Sequence, residues 1–409
     1  MRLVTVRPAV IRPSKKRRLG RRITLAVVVL LAGLCVFQFV RPLPDASVRL
    51  QLAELPQAKA ATLNWPNNAR AALAANGYGM LGTHGSTAPL ATASIAKVII
   101  ALCVLEKYPL NPGEQGPTIT MTWRDRALYE EQIQQNGSRI AVRQGMQLSE
   151  YQALQALLIP SANNIADSLA IWAFGDHPNY ARYANDFLQR HGLISTKVGS
   201  DASGLSPTTV STATDLARLG LIARKNAVLM EIAGQKSVTL PFAGKHTNYN
   251  RALGKAGING LKTGNNEANP GALLFTTDAI VSGHSIELSG VVMGAATLQD
   301  ALDASVALAA SVTDDFEHLT LMTSRQRVGT LTTAWGVEVP IRLKDSLSLI
   351  RWKEQAVTAR HTIQPAIGTS AQSLGVLSVR AGEQTASSIL EITEPASGPS
   401  WQWRLTRFR

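Results

Sequence analysis

The chain has 409 residues, 45% of them hydrophobic and 17% charged, enough for two folded domains and too apolar for a disordered polyelectrolyte. Its formal charge of +13 resembles that of a nucleic-acid binder, but residues 1–41 hold ten Lys/Arg and no Asp/Glu, and the other 31 basic and 28 acidic residues leave only +3. The nearly balanced remainder carries no basic face interleaved with aromatics, which argues against a nucleic-acid partner.

In chain order, residues 1–22 form a basic tail expected to stay in the cytoplasm, with Lys15-Lys16-Arg17-Arg18 and Arg21-Arg22 just before an apolar run at 23–40. At about 1.5 Å per residue that run spans a thin bilayer core, so it is expected to be a single-pass membrane anchor with everything after it outside the cytoplasm. A cleaved signal peptide is the competing reading; its small-x-small site, Ala58-Lys59-Ala60, lies far beyond the apolar run. Residues 41–60 read as a linker. A hairpin follows at 70–82, with Asn76-Gly77 as its tight turn. The stretch 94–108 is helical and apolar on most sides (Ile95, Val98, Ile99, Leu102, Leu105), which predicts burial. Residues 118–147 give no clear pattern. Helices are predicted at 148–159, stopped by Pro160, and at 163–174, 179–192 and 214–224. Strands follow at 258–264, 271–277 and 285–294, then a closing helix at 298–312.

An α+β domain over 61–318 is the expected result, an antiparallel sheet built from both ends of the segment and flanked by helices. Short alternating runs at 336–343, 376–380 and 401–408 predict a small all-β domain over 319–409. The two cysteines, Cys35 in the apolar run and Cys103 in a core helix, cannot meet. The seven histidines show no metal-ligand spacing, so neither a metal nor another cofactor is expected.

Three strings carry chemistry. Ser94-Ile95-Ala96-Lys97 puts a hydroxyl and an amine one helical turn apart. Alone, Ser-x-x-Lys is weak, since a capping serine and a solvated lysine explain it. Here the lysine is followed by Val98-Ile99-Ile100, and a lysine in so apolar a helix needs partners. In a low-dielectric pocket beside a second cation it would be neutral enough to take the proton of Ser94. Ser161-Ala162-Asn163 lies on the tight connection between two helices. Ser161 would relay a proton to the leaving amine, and Asn163 would hold Lys97 and a substrate carbonyl. Lys262-Thr263-Gly264 reads as an edge strand: Lys262 and Thr263 would hold a carboxylate, Gly264 would allow close approach, and the N–H groups of Ser94 and Asn265 would form the oxyanion hole.

With these three motifs in this order and gaps of 67 and 101 residues between their first positions, the chain resembles the low-molecular-mass penicillin-binding proteins of the D-alanyl-D-alanine carboxypeptidase family. The flanking strings Leu157-Leu158-Ile159-Pro160, Gly204-Leu205-Ser206, Gly260-Leu261 and Val291-Val292-Met293-Gly294 are similar too. The resemblance implies a serine β-lactamase/DD-peptidase fold, catalysis by Ser94, Lys97, Ser161 and Asn163, and substrate binding by Lys262, Thr263, Gly264 and Asn265. The implied partners are a peptidoglycan stem peptide ending in D-Ala-D-Ala and β-lactam antibiotics, which would acylate Ser94. Two departures stand out. Family members often carry an arginine for the terminal carboxylate directly after Met-Gly-Gly, but the corresponding stretch Met293-Gly294-Ala295-Ala296-Thr297 has none, and Asn265-Asn266 replaces the usual His-Thr or Phe-Thr. A DD-endopeptidase, a β-lactamase or an inactive wall-binding protein are the alternatives on the same fold. The Glu-x-x-Leu-Asn string of class A lactamases is missing, and Asp201 stands in a different pattern.

Overall fold

A computed structural model describes residues 15–407, with side chains described from residue 19; most of the expected basic tail, and Phe408 and Arg409, lie outside the described residues. The first element is the helix Lys15–Val40, whose segment Leu19–Val40 has a mean hydropathy of 2.7 and is long and apolar enough to cross a membrane.

Around the site, a five-stranded antiparallel sheet runs in the order Gly260–Asn266, Asn269–Val281, His284–Ala295, Arg70–Ala75, Gly79–His84. The expected hairpin supplies one edge, and the strand carrying Lys262 supplies the other. Because strand side chains alternate, each strand feeds two cores. Ala72, Ala74, Leu274, Val291 and Met293 face the helical side, while Ala71, Leu73, Ala75, Phe275 and Val292 face the closing helix Leu298–Ser311. Both faces are dry over the middle of the three inner strands, which is why 71–75, 272–275 and 291–293 read as apolar runs. On the helical side, Ala96–Lys107 is buried from Ala96 to Leu105 and packs among Glu150–Leu158, Asn163–Phe174 and His177–Arg190.

The stretch 118–147, unreadable in sequence, contains the helix Trp123–Gln134. Its start is a capping box in which the amide and hydroxyl of Thr122 both donate to Asp125 Oδ2 at 2.7 Å. Its exposed, polar composition leaves no apolar stripe, so periodicity could not reveal it.

The later strands form a six-stranded sheet, Ser47–Leu50, Arg327–Thr332, Glu338–Leu343, Gln384–Ile392, Gln372–Ala381, Thr358–Ile363, beside the pair Phe316–Met322 and Leu347–Trp352. Three expectations are corrected here. Residues 41–60 are not a free linker: Ser47–Leu50 pairs with Arg327–Thr332, and buried Arg351 donates to the carbonyls of Pro56 and Gln57 at 3.2 and 2.9 Å. The boundary at 318/319 cuts the strand Phe316–Met322, whose Phe316, with Trp352, packs edge-on beneath Tyr78 of the first sheet's hairpin. Finally, the run expected as a strand at 401–408 is not one over its described residues, 401–407. Ser400 caps the short helix Trp401–Thr406, and Arg404 and Arg407 donate to the carbonyls of Phe39, Gln38 and Pro42 at the end of the first helix. These side chains satisfy carbonyls that a helix end leaves open, a long-range bond invisible to local periodicity.

One buried group costs stability in a pH-dependent way. Glu150 is fully buried, neither carboxylate oxygen has a hydrogen-bond partner among the described residues, and burial pushes its pKa up to about 7. A carboxyl raised above its unfolded value stabilises fully below that value, and the contribution is lost as pH rises through about 7. Glu150→Gln is therefore expected to melt about 2–4 °C above the parent in mildly alkaline buffer, with the gap closing in acid, as read by thermal scans of the full chain. An equal gap at both ends of the pH range would refute this account.

Candidate active site

The nucleophile turn begins with a strained residue. Ala93 has φ +47°, and Ser94 follows in a single 3-10 turn, Ala93–Ile95, that leads into the helix Ala96–Lys107. This places the half-buried Ser94 hydroxyl over the first turn of a helix whose Lys97 is fully buried. Three groups converge on the Lys97 Nζ: Ser94 Oγ at 2.8 Å, Asn163 Oδ1 at 2.8 Å and the Ser203 carbonyl at 3.0 Å. Every partner is neutral, so burial dominates, and the amine falls to about 7, with Asp167 and Asp201 holding it partly up.

Asn163 is itself fixed. Its Nδ2 donates to Gln132 Oε1 at 2.7 Å and its backbone N–H to the Ser138 carbonyl at 2.7 Å. Gln132 thus sets which end of the amide faces Lys97. Two residues earlier, Ser161 is buried and has φ +57°, the second strained residue flanking the groove. Its hydroxyl makes none of the hydrogen bonds described above.

Opposite lies the edge strand Gly260–Asn266, in register with Asn269–Val281 so that Lys262 stands across from Leu274 and Gly264 from Ala272. Lys262 is 2% exposed and donates to the Thr263 carbonyl at 3.0 Å. Burial, reinforced by the nearby Lys97 charge, lowers its pKa well below the usual lysine value. Gly264 abuts the nucleophile turn: a Cβ there would sit 3.1 Å from the Thr92 carbonyl and 3.3 Å from Ala93 Cβ. Asn265 is exposed, just past that contact. The two strings therefore meet at a close backbone approach, where a Cβ on residue 264 would press on the nucleophile turn.

Sequence reasoning missed four contributors. Ser203 gives only a carbonyl, and no side-chain signature marks it. Gln132 comes from the unread helix. Gly204, at φ +73°, would drive a Cβ into the Ala93 carbonyl, so the Gly204-Leu205-Ser206 string marks a close approach to the nucleophile turn. Asp201, set aside as out of pattern, holds this loop: its Oδ2 accepts from Ser203 Oγ at 2.6 Å and Leu205 N at 2.9 Å. The Asn265-Asn266 departure also has a local role. Asn266 Nδ2 donates to the Gly204 carbonyl at 3.3 Å, and its Oδ1 accepts from Asn269 N at 2.7 Å. Asn269 in turn bonds the Ala91 carbonyl and Gly294 N, each at 2.9 Å, which ties the end of the edge strand to the segment before Ser94.

A hydroxyl beside a buried, depressed amine, an orienting amide and a second buried cation on a sheet edge together make a site for nucleophilic acyl transfer. Residues 61–297 match the family profile described as D-alanyl-D-alanine carboxypeptidase. No curated protein matches the sequence. Among solved structures, penicillin binding protein 5 from Haemophilus influenzae is similar with a TM-score of 0.58 at 19% identity, over 82% of this chain and 98% of that one. The D-alanyl-D-alanine carboxypeptidase DacD from Francisella tularensis gives 0.58 at 16% identity over 85% and 97%. Penicillin binding protein 6B from Escherichia coli gives 0.58 at 17% over 84% and 99%. At these identities the likeness concerns the fold: an antiparallel sheet with helices, followed by further β strands.

Proposed function

Because the chain belongs to the D-alanyl-D-alanine carboxypeptidase family, as a serine-type hydrolase, we propose that its reaction runs through an acyl-enzyme on Ser94. The observation that carries this reading is the buried Lys97 amine within 2.8 Å of both the Ser94 hydroxyl and the Asn163 amide oxygen. Neutral Lys97 takes the Ser94 proton as Oγ attacks the carbonyl carbon of the penultimate D-Ala of a peptidoglycan stem peptide. The developing oxyanion lies between the N–H groups of Ser94 and Asn265. Ser161 passes the proton from Lys97 to the nitrogen of the departing D-Ala as the peptide bond breaks. Water, deprotonated by Lys97, then hydrolyses the ester and restores Ser94. Lys262 and Thr263 hold the terminal carboxylate, and Gly264 lets the substrate lie against the strand. β-Lactams acylate the same oxygen, since their strained amide presents the same carbonyl chemistry.

In this reading the family-matched segment 61–297 is the catalytic unit, and the sheet that takes in Arg327–Thr332 and the later strands is a small β unit. The segment 23–40 anchors them in a bilayer with the N-terminus cytoplasmic and the site outside, because positive charge flanks the apolar run on its N-terminal side.

Incubating the full chain in detergent with a pentapeptide ending in D-Ala-D-Ala, and separately with cross-linked muropeptide, tests the assignment by mass analysis. Loss of one terminal D-Ala from the pentapeptide, with the cross-link intact, is expected. Cleavage of the cross-link instead would make the enzyme an endopeptidase. In a parallel sample with fluorescent penicillin, no covalent label together with no D-Ala release would make it a wall-binding protein, and rapid loss of the label a β-lactamase.

A further inference from the structure

A buried carboxylate hydrogen-bonded to a histidine, Asp167 with His177, has no role in the reaction scheme. Asp167 follows Asn163 by one turn on the same helix and is 7% exposed. Its Oδ1 accepts from His177 Nε2 at 2.9 Å and from Ala202 N at 3.2 Å. Ala202 immediately precedes Ser203, the residue whose carbonyl holds the Lys97 amine. Asp167 is thus joined to the amine by one stretch of backbone, and its charge lies in the same low-dielectric interior.

We propose that Asp167 is a positioning residue for Lys97 and that His177 masks its charge: the carboxylate pins the turn bearing the Ser203 carbonyl, and the imidazolium offsets the negative charge that would otherwise keep the amine protonated. This rests on the reading of Lys97 as the base. The charged groups facing Lys97 are Lys262 from the edge strand, Asp201 from its loop and Asp167 from its helix. Cys103 on the same helix and Tyr180 on His177–Arg190 stay neutral, since burial raises both. His177 is faced by Asp167, Asp201 and Asp176. Its pKa is raised chiefly by the hydrogen bond to Asp167, which favours the charged imidazolium that the masking requires.

Two nearly isosteric substitutions separate charge from geometry. Asp167→Asn keeps an oxygen for Ala202 N but removes the negative charge. His177→Gln keeps an N–H for Asp167 but removes the positive charge. The experiment follows acylation by a fluorescent penicillin, on the full chain in detergent, from about pH 5 to 9. D167N is expected to lower the apparent pKa of acylation and H177Q to raise it, each by about half a unit or more. The double variant should follow D167N, since no charge is left to mask. A merely structural role would slow acylation in both variants without moving their pKa values apart. Shifts of the same sign, or none, would overturn the proposal; should D167N fail to fold, the H177Q shift alone decides it. A parent profile with no inflection would instead overturn the base reading of Lys97.

Discussion

Ser94→Ala is expected to abolish covalent penicillin labelling and to lower D-Ala release by roughly 10⁴–10⁶-fold, while the protein stays folded. The size follows from the role. Without Oγ no ester forms, and what is left is the binding and oxyanion stabilisation offered by the groove, which in serine hydrolases supplies only a small residue of the rate. Stability is expected to hold because the hydroxyl is half-buried and makes one described side-chain bond, to Lys97 at 2.8 Å. The Asn163 oxygen and the Ser203 carbonyl continue to hold the amine when Ser94 is gone. Gel fluorescence with a labelled penicillin, set beside a thermal melt, reads both arms. A variant that melts like the parent yet still takes the label would place the nucleophile elsewhere.

The second large effect is on Lys97. Its pKa of about 7 means the amine is mostly charged in mild acid and mostly neutral in mild base. Only the neutral form accepts a proton. The acylation rate should therefore rise about tenfold per pH unit below neutrality and level off above it. Lys262 is lowered by burial and by the Lys97 charge, so each amine influences the other and the inflection reflects that interaction. Lys97→Arg keeps a cation but removes any neutral form, because a guanidinium does not lose its proton in this range. General-base contributions then predict a loss of about 10²–10⁴-fold with a flattened profile. A Lys97→Arg enzyme with the parent's rate would show that Lys97 only positions other groups by its charge.

The two departures from the family pattern acquire different weights from the fold. Asn266 and Asn269 brace the end of the edge strand against Ala91 and Gly204, so the Asn-Asn pair is in part a structural solution. Gly294, with φ +75°, donates its amide N–H to Asn269 Oδ1, and the exposed Ala296 stands where the resemblance leads one to expect an arginine.

Two of the elements that frame the candidate site were legible in the sequence. The helix of Lys97 announced itself because ten consecutive buried positions, Ala96 to Leu105, leave a lysine with nowhere to be solvated. The edge strand and its glycine could be read from the Lys262-Thr263-Gly264 string and not from periodicity, because Gly260–Asn266 has Leu261 as its one large apolar residue. The helix Trp123–Gln134, the strap at 47–50 and the terminal helix Trp401–Thr406 were not legible. The first is polar all round, and the other two are held by partners hundreds of residues away.

The sequence by itself determined the inventory and order of the chemistry: a hydroxyl and amine one turn apart, an amide on a helix junction, a cation and glycine on a strand, and an apolar anchor before them. These are local features, set by helical and strand periods over a few residues. Tertiary structure alone decided what surrounds the amine: the Ser203 carbonyl, the Gln132 brace on Asn163, and the Asp167–His177 pair. An amine's proton affinity depends on the groups that close packing brings within a few ångströms, and those come from four separate segments whose meeting no local pattern records.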